Sequence, residues 1–150
     1  MPTGRAKAGM LEAQGRREFR GHAEQVAAAR RFVASAIHGS GQARDVSRLL
    51  VSEAATNALL HSGSGDGGTF SVEYAISDHL LRVEVHDGGG PTGPRRRVHD
   101  IESMTGRGLD LFDALSDRWG VDGTSDGWTV WFELDLAAQE ADTAEARTAK

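Results

Sequence analysis

A helical pattern over residues 49–61 carries two polar side chains where an apolar stripe is expected. Four apolar residues fall within about 60° of Glu53 on a helical wheel drawn at roughly 100° per residue, namely Val46, Leu49, Leu50 and Leu60. Asn57 lies one turn further along the same arc. Because burying an unpaired carboxylate is costly, we expect Glu53 and Asn57 either to be satisfied internally or to line a ligand cavity.

The first third of the chain is predicted to hold a short edge strand and two helices. Residues 16–20 form the predicted strand, and residues 22–37 have apolar positions at helical spacing. A glycine-rich turn ends this helix. Asp45 is expected to cap the second helix, which carries the polar pair and runs to about Leu60.

Residues 70–87 alternate between apolar and polar positions, which predicts two strands. A turn at residues 77–79 joins them in a hairpin. Asp87 is in phase with the apolar residues of the second strand, so we expect its carboxylate to point toward the buried side. The alternate residues of that strand are expected to point away: Arg82, Glu84 and His86.

The remaining elements define the fold class. Residues 88–105 have little periodicity and are rich in glycine and proline, which is typical of a lid. An apolar helix is predicted after residue 108, and two strands close the domain around residues 119–121 and over residues 129–136. This order predicts an α/β (α+β) two-layer sandwich, with helices on one face of a mostly antiparallel mixed sheet. A doubly wound parallel fold is disfavoured because consecutive strands are joined by short turns.

Composition places these elements in one domain. The chain has 150 residues, and we expect a domain over residues 16–136 between a disordered tail (residues 1–15) and a polar C-terminal tail (residues 137–150). The formal net charge of -5 argues against a nucleic-acid binder that relies on phosphate neutralisation. The absence of cysteine, of a membrane-spanning apolar run and of a signal-peptide core favours a cytoplasmic location.

Three segments carry candidate chemistry, and each has a plainer structural alternative. The Asn57 amide oxygen suits Mg²⁺ and the Glu53 carboxylate can deprotonate a hydroxyl, although the two can also form a buried polar pair. Asp87, followed by three glycines, can accept a hydrogen bond from a base or can simply end a strand. Residues 106–108 can offer helix N–H groups to phosphate or serve as an ordinary loop–helix junction.

In their order and spacing these segments resemble the motifs of the GHKL ATPases, most closely those of the anti-sigma factor serine/threonine kinase branch. Four segments carry the resemblance: Glu53-Ala-Ala-Thr-Asn57-Ala-Leu-Leu-His61 as the N-box, Asp87-Gly-Gly89 and Gly106-Arg-Gly108-Leu109 as two glycine boxes, and Gly127-Trp-Thr129-Val-Trp-Phe-Glu-Leu134 as the closing strand. The similarity covers roughly residues 17–136. It implies a Bergerat-type ATP-binding fold.

The resemblance also implies residue roles. Asn57 would coordinate the Mg²⁺ that bridges the phosphates of ATP, and Glu53 would activate the attacking hydroxyl of a protein serine or threonine. Asp87 would hold the adenine amine, with Thr129 nearby. The other positions expected at the nucleotide belong to the glycine boxes: Gly89, Gly106, Arg107, Gly108 and Leu109. The chain departs from a full Asp-x-Gly-x-Gly box at Pro91, which alters the expected geometry of the lid.

Three functions are compatible with these residues. The resemblance implies an ATP-dependent serine/threonine kinase and anti-sigma factor, which binds a sigma factor, phosphorylates a STAS-domain anti-anti-sigma factor and forms a homodimer. The alternative is a non-catalytic ATP-binding regulator that sequesters a sigma factor or another regulatory protein. Glu53 favours the kinase, because a pure binder needs no base. A degenerate structural domain is a third possibility. The joint presence of five residues argues against it: Glu53, Asn57, Asp87, Gly106 and Gly108.

Overall fold

A computed structural model describes residues 11–39, 41–61, 68–87, 107–124 and 127–137. Eight elements follow one another in these ranges: β1 (Leu11–Arg20), α1 (Ala23–Ala34), α2 (Gly41–His61), β2 (Thr69–Ser77), β3 (Leu80–Asp87), α3 (Arg107–Leu115), β4 (Arg118–Thr124) and β5 (Gly127–Asp135). No helix among the described residues combines the length and the apolar character needed to cross a membrane.

The strands form one sheet in the order β1-β2-β3-β5-β4. Each pair of neighbours is antiparallel. Helix α1 packs on α2, and α2 in turn packs on β3 and α3. The α+β sandwich expected from the sequence is therefore confirmed, and every strand pairing that the structure describes is antiparallel rather than mixed.

The β2–β3 hairpin fixes the register at the centre of the sheet. Its two turn residues, Asp78 and His79, have positive φ values of 51° and 66°. Two consecutive positive φ values are those of a type I′ turn, whose twist matches that of the flanking strands. Phe70 then lies opposite Asp87 at the far end of the hairpin. The hairpin and its turn agree with the prediction.

The core lies between this sheet and the helices. Phe19 of β1 stacks on Phe70 of β2 with ring centroids 5.4 Å apart, and Phe112 of α3 contacts Phe132 of β5 at 5.9 Å. Helix α2 contributes mostly small buried side chains: Ala43, Leu50, Val51, Ala54, Ala55 and Ala58. Small residues let α2 approach its neighbours closely.

This packing corrects the apolar stripe drawn around Glu53. Leu49, counted as part of that stripe, is 41% exposed. The buried face of α2 instead runs along Leu50, Ala54 and Ala58, which places half-buried Glu53 at its edge. The helical wheel identified the buried face from its bulky apolar residues. In the structure α2 packs closely on its neighbours, and the buried positions are therefore mostly alanines.

Two boundaries also differ from the prediction. Residues 11–15, assigned to a disordered tail, belong to β1 and pair with β2, while residues 1–10 and 138–150 lie outside the described residues. Phe19 is the buried residue of β1 and Ala13 packs partly on the core, but Arg17 interrupts the apolar alternation, so this edge strand depends largely on backbone pairing. Asp45 does not cap α2, which begins at Gly41; Asp45 pairs instead with Arg48 at 3.0 Å.

Candidate functional site

The polar pair on α2 consists of a buried amide and a half-buried carboxylate. Asn57 is 8% exposed, and its Nδ2 atom has no hydrogen-bond partner among the described residues. Leaving a buried polar group unsatisfied costs about 1–3 kcal/mol. Glu53 lies one turn before it, at roughly the same position around the helix. An amide kept at this cost is better suited to contact a polar ligand than to pack in the core.

Asp87 ends strand β3 on the side of the sheet that faces the helices. Its inward-facing neighbours on the strand, Val83 and Val85, are buried in the core, and Asp87 itself is 7% exposed. Because α2 packs on β3, Asp87 and Asn57 both lie between the helices and the sheet. A buried carboxylate and a buried amide are thus presented within the same layer, as a small-molecule site requires.

Gly127 supports Asp87 from the neighbouring strand. A Cβ atom at position 127 would lie 2.5 Å from the carbonyl oxygen of Asp87, and the φ angle of Gly127 is +143°. Only glycine fits both the space and this backbone conformation. Gly127 belongs to the closing-strand motif, but no role was assigned to it from the sequence. The signal that could have indicated its role is the presence of a glycine at the start of a strand.

Thr129 lies on the opposite face of the sheet from Asp87. Val130 beside it is buried in the core, so alternation along β5 turns Thr129 outward. The Thr129 hydroxyl is 2.8 Å from Nδ1 of His86. The structure therefore brings Thr129 to His86 and not to Asp87. On the inner face, the ring of Trp128 covers Gly123, where a Cβ atom would be 2.9 Å from that ring.

The glycine boxes are described only in part. Arg107, Gly108 and Leu109 form the first turn of α3, for which the structure describes the backbone. Helix α3 packs on α2, so its start belongs to the layer that carries Asn57. Gly89 and Gly106, together with the predicted lid over residues 88–105, lie outside the described residues.

An ion-pair cluster covers the outer face of the sheet. Buried Arg82 pairs with Glu84 at 2.8 Å and with buried Glu133 at 3.0 Å. His86 lies between Glu84 at 3.3 Å and Glu73 at 3.5 Å. The His86 ring, followed by the Arg82 guanidinium, lowers the pKa of Glu84 to about 2. The alternation of β3 predicted that these side chains point outward but not that they pair.

This cluster is better described as an ion-pair network than as a metal centre. The possible ligand atoms of Glu73, Glu84 and His86 lie within 4.8 Å of one another. However, Arg82 already supplies positive charge to Glu84, and Arg16 lies 3.6 Å from Glu73. Because the guanidinium groups balance the carboxylates, a metal cation is not needed there.

The residues on the inner side fit a magnesium–nucleotide ligand. The oxygen of the Asn57 amide is the kind of hard ligand that Mg²⁺ takes, and its Nδ2, which has no partner in the described part of the chain, would accommodate an acceptor. The buried carboxylate of Asp87 can accept a hydrogen bond from an exocyclic amine. The Asn57 amide thus suits a metal ion bound to phosphate, and the Asp87 carboxylate suits a nucleotide base.

Comparison with known proteins agrees with this chemistry. A family model described as "Histidine kinase-like ATPase domain" matches residues 19–134. Three relatives from Listeria monocytogenes, of strains HCC23, CLIP80459 and F2365, carry the name "Serine-protein kinase RsbW". Each is 35% identical over 97 residues, which covers 57% of this chain and 62% of the relative. The similarity therefore spans less than two thirds of those relatives.

Proposed function

Because the chain belongs to the histidine kinase-like ATPase family, we propose that it is an ATP-dependent serine/threonine protein kinase acting as an anti-sigma factor. Family membership implies ATP binding. The observation that carries the proposal further is the pair on α2. Half-buried Glu53 precedes buried Asn57 by one turn, and the Nδ2 atom of Asn57 has no partner among the described residues. The similarity to proteins named as serine-protein kinases supports the choice of reaction.

The nucleotide would be held from three sides. Asp87 would accept a hydrogen bond from the adenine amine while Gly127 keeps its backbone in place. Asn57 would hold Mg²⁺, which when bound neutralises phosphate charge. The two glycine boxes would supply the phosphate contacts: Gly89, Gly106, Arg107, Gly108 and Leu109. Thr129 is not part of this arrangement, because its side chain lies on the opposite face of the sheet and meets His86.

Glu53 is the proposed base for phosphoryl transfer. It would accept the proton of a serine or threonine hydroxyl whose oxygen attacks the γ-phosphorus of ATP. A new oxygen–phosphorus bond forms, the bond to the β,γ-bridging oxygen breaks, and ADP leaves. The rate gain would come mostly from positioning and electrostatics, as is general for this reaction. The place of Glu53 at the edge of the buried face of α2 gives it both a fixed position and access to a protein substrate.

We assign the substrate and partners by the resemblance of the motifs. The acceptor would be a STAS-domain anti-anti-sigma factor, and the protein held in its absence would be a sigma factor, in a bacterial partner-switching pathway. The kinase would act in the cytoplasm as a homodimer and would not contact nucleic acid directly. The formal charge of -5 supports the last point.

A non-catalytic ATP-binding regulator is the second candidate. Asn57, Asp87 and Gly127 would serve nucleotide binding equally well without transfer. Such a protein would have no use for a carboxylate at Glu53, and this residue is the reason to prefer the kinase.

The decisive experiment incubates the full chain with γ-labelled ATP, Mg²⁺ and STAS-domain proteins from the same genome. We expect label on a serine or threonine of one of them. Glu53→Gln should abolish transfer and leave ATP affinity nearly unchanged, whereas Asn57→Ala should lose Mg·ATP binding. Glu24→Gln, an exposed change on α1, is the matched control and should behave as wild type.

Each of the other possible results supports a different conclusion about function. ATP binding without transfer to any acceptor would indicate the regulator. Transfer by Glu53→Gln at the wild-type rate would show that another group acts as base. Failure to bind ATP at about 1 mM, a free energy near −4 kcal/mol, would leave only the degenerate structural domain.

A further inference from the structure

A shallow groove between the end of α1 and the start of α2 is lined by three arginines. Its volume is about 400 Å³. Six residues line it, and we call it the arginine groove: Arg31, Ala34, Ser35, Ile37, Arg44 and Arg48. The concentration of like charge is notable because the chain as a whole carries a formal charge of -5.

The arginines of the groove differ in how firmly they are held. Arg44 donates from Nη1 to the carbonyl oxygen of Ile37 at 3.2 Å, which anchors it to the turn after α1. Arg48 pairs with Asp45 at 3.0 Å, but both side chains are largely exposed and such pairs are weak. Arg31 is exposed, and no ion pair joins it to another described residue. The guanidinium groups of Arg31 and Arg48 are therefore available to an incoming anion.

The helix itself adds positive potential at this place. The first turn of α2 contains no acidic residue, and in the opening turns the two arginines Arg44 and Arg48 outnumber the single aspartate, Asp45. Cations near the start of a helix are unfavourable because they meet the positive end of the helix dipole. Asp45 offsets only one of these two charges. The arrangement therefore favours an anionic ligand.

The arginine groove is separate from the proposed nucleotide site. Arg48 and Glu53 are five residues apart, which places them about 140° apart around α2 at roughly 100° per residue. Neither Asn57 nor Asp87 lines the groove. An anion bound there would therefore lie on another side of α2 than the phosphates of ATP.

We propose that the arginine groove binds an acidic segment of a partner protein. Guanidinium groups recognise carboxylates with two parallel hydrogen bonds, and Ala34 and Ile37 give the groove an apolar floor for the aliphatic part of a glutamate. A nucleic acid is the less suitable polyanion, because the acidic chain around the groove would repel its long phosphate backbone. This proposal does not depend on kinase activity.

Fluorescence anisotropy with two labelled peptides tests the proposal. The first is a short helical peptide with glutamates on one face, and the second has glutamines in their place. We expect saturable binding of the glutamate peptide only. The double variant Arg31→Glu/Arg48→Glu should weaken that binding by about tenfold or more. The control Arg17→Glu/Arg20→Glu makes the same change of charge on exposed positions of β1 and should weaken it by less than about threefold.

Three results would overturn the proposal. The first is an absence of saturable binding of the glutamate peptide to the wild-type protein, and the second is an equal loss in both double variants, which would indicate net charge alone. The third is tighter binding of a single-stranded oligonucleotide of matched charge, which would identify a nucleic-acid site. Circular dichroism and ATP affinity should be unchanged in Arg31→Glu/Arg48→Glu, which separates loss of the groove from loss of the fold or of the nucleotide site.

Discussion

The backbone of Gly127 lies so close to Asp87 that a Cβ atom at position 127 would stand 2.5 Å from the Asp87 carbonyl oxygen. Strand β5 thus begins by packing directly on the end of β3. Since Asp87 is buried and has little room to relax, its position depends on position 127 having no side chain. The position of Asp87, which we propose recognises adenine, therefore depends on a glycine in a neighbouring strand.

We predict that Gly127→Ala weakens ATP binding by about tenfold or more, because the added methyl group displaces Asp87 and strains the backbone at φ +143°. Isothermal titration calorimetry measures the affinity, and circular dichroism checks the fold. Gly41→Ala is the matched control: among the described residues its Cβ would meet only Arg44 Nη2, at 3.9 Å, and its affinity should equal that of wild type. Wild-type affinity in a folded Gly127→Ala variant would contradict this role.

A second prediction concerns the cost of keeping Asn57. Asn57→Leu removes a buried amide whose Nδ2 atom has no partner among the described residues. Because an unsatisfied buried donor costs about 1–3 kcal/mol, we expect the free energy of unfolding without nucleotide to stay level or to rise by about 1 kcal/mol. Stabilisation by Mg·ATP should disappear. Urea denaturation with and without nucleotide measures both effects.

Ser47→Ala provides the comparison on the same helix. Ser47 is fully buried, and its hydroxyl donates to the carbonyl oxygen of Arg44 at 2.9 Å. Removing this satisfied group should lower stability by about 1 kcal/mol and leave the nucleotide effect intact. If Asn57→Leu destabilises the protein more than Ser47→Ala does, Asn57 has a structural role that its geometry does not show.

The sequence predicted the parts of the fold that periodicity determines. Alternation over residues 70–87 located the β2–β3 hairpin and the inward direction of Asp87, and helical spacing located α1 and α2. It failed for residues 11–15, because the alternation of Leu11, Ala13 and Gly15 is weak and the strand is recognised mainly by its backbone pairing with β2. It also failed for Leu49, because close packing of α2 depends on alanines that a helical wheel undervalues.

The candidate site was predictable where its residues belong to local motifs. Glu53, Asn57 and Asp87 stand out in the sequence because they are polar within apolar patterns. The support of Asp87 by Gly127 was not predictable, since it depends on which strands are neighbours. The contact between His86 and Thr129 likewise requires the register of β3 against β5, which no single segment contains.

A third prediction tests the buried ion pair on the outer face of the sheet. Arg82 and Glu133 are 7% and 1% exposed, and their side chains meet at 3.0 Å under the ring of Trp131. Arg82→Ala would leave the Glu133 carboxylate buried, with the exposed Arg118 at 3.5 Å as its one remaining cation among the described residues. We expect a loss of about 3–5 kcal/mol in the free energy of unfolding, measured by urea denaturation.

Arg48→Ala removes an ion pair of the exposed kind and is the control for that experiment. Its partner Asp45 is 77% exposed, so the expected loss is within about 1 kcal/mol. Similar losses in the two variants would mean that burial of the Arg82–Glu133 pair has no energetic consequence. A small loss in Arg48→Ala also indicates that substitutions in the arginine groove leave the fold intact.

The last prediction follows from the lowered pKa of Glu84. The neighbouring His86 ring and the Arg82 guanidinium favour the charged carboxylate and hold its pKa at about 2, below the ordinary value of 4.5. A carboxylate with a lowered pKa in the folded state stabilises the protein above its ordinary pKa, and this contribution is lost as the pH falls from about 5 toward 2. Glu84→Gln should therefore be less stable than wild type at pH 7.

The two proteins should become more alike in acid, because protonation removes from wild type the charge that the variant lacks. Urea denaturation at about pH 7, 5 and 3 measures the difference in the free energy of unfolding between them, which should shrink over the acid range. Glu24→Gln, an exposed change on α1, should follow the wild-type curve. A difference that stays constant from neutral to acid pH would show that Glu84 stabilises the sheet by packing rather than by its charge.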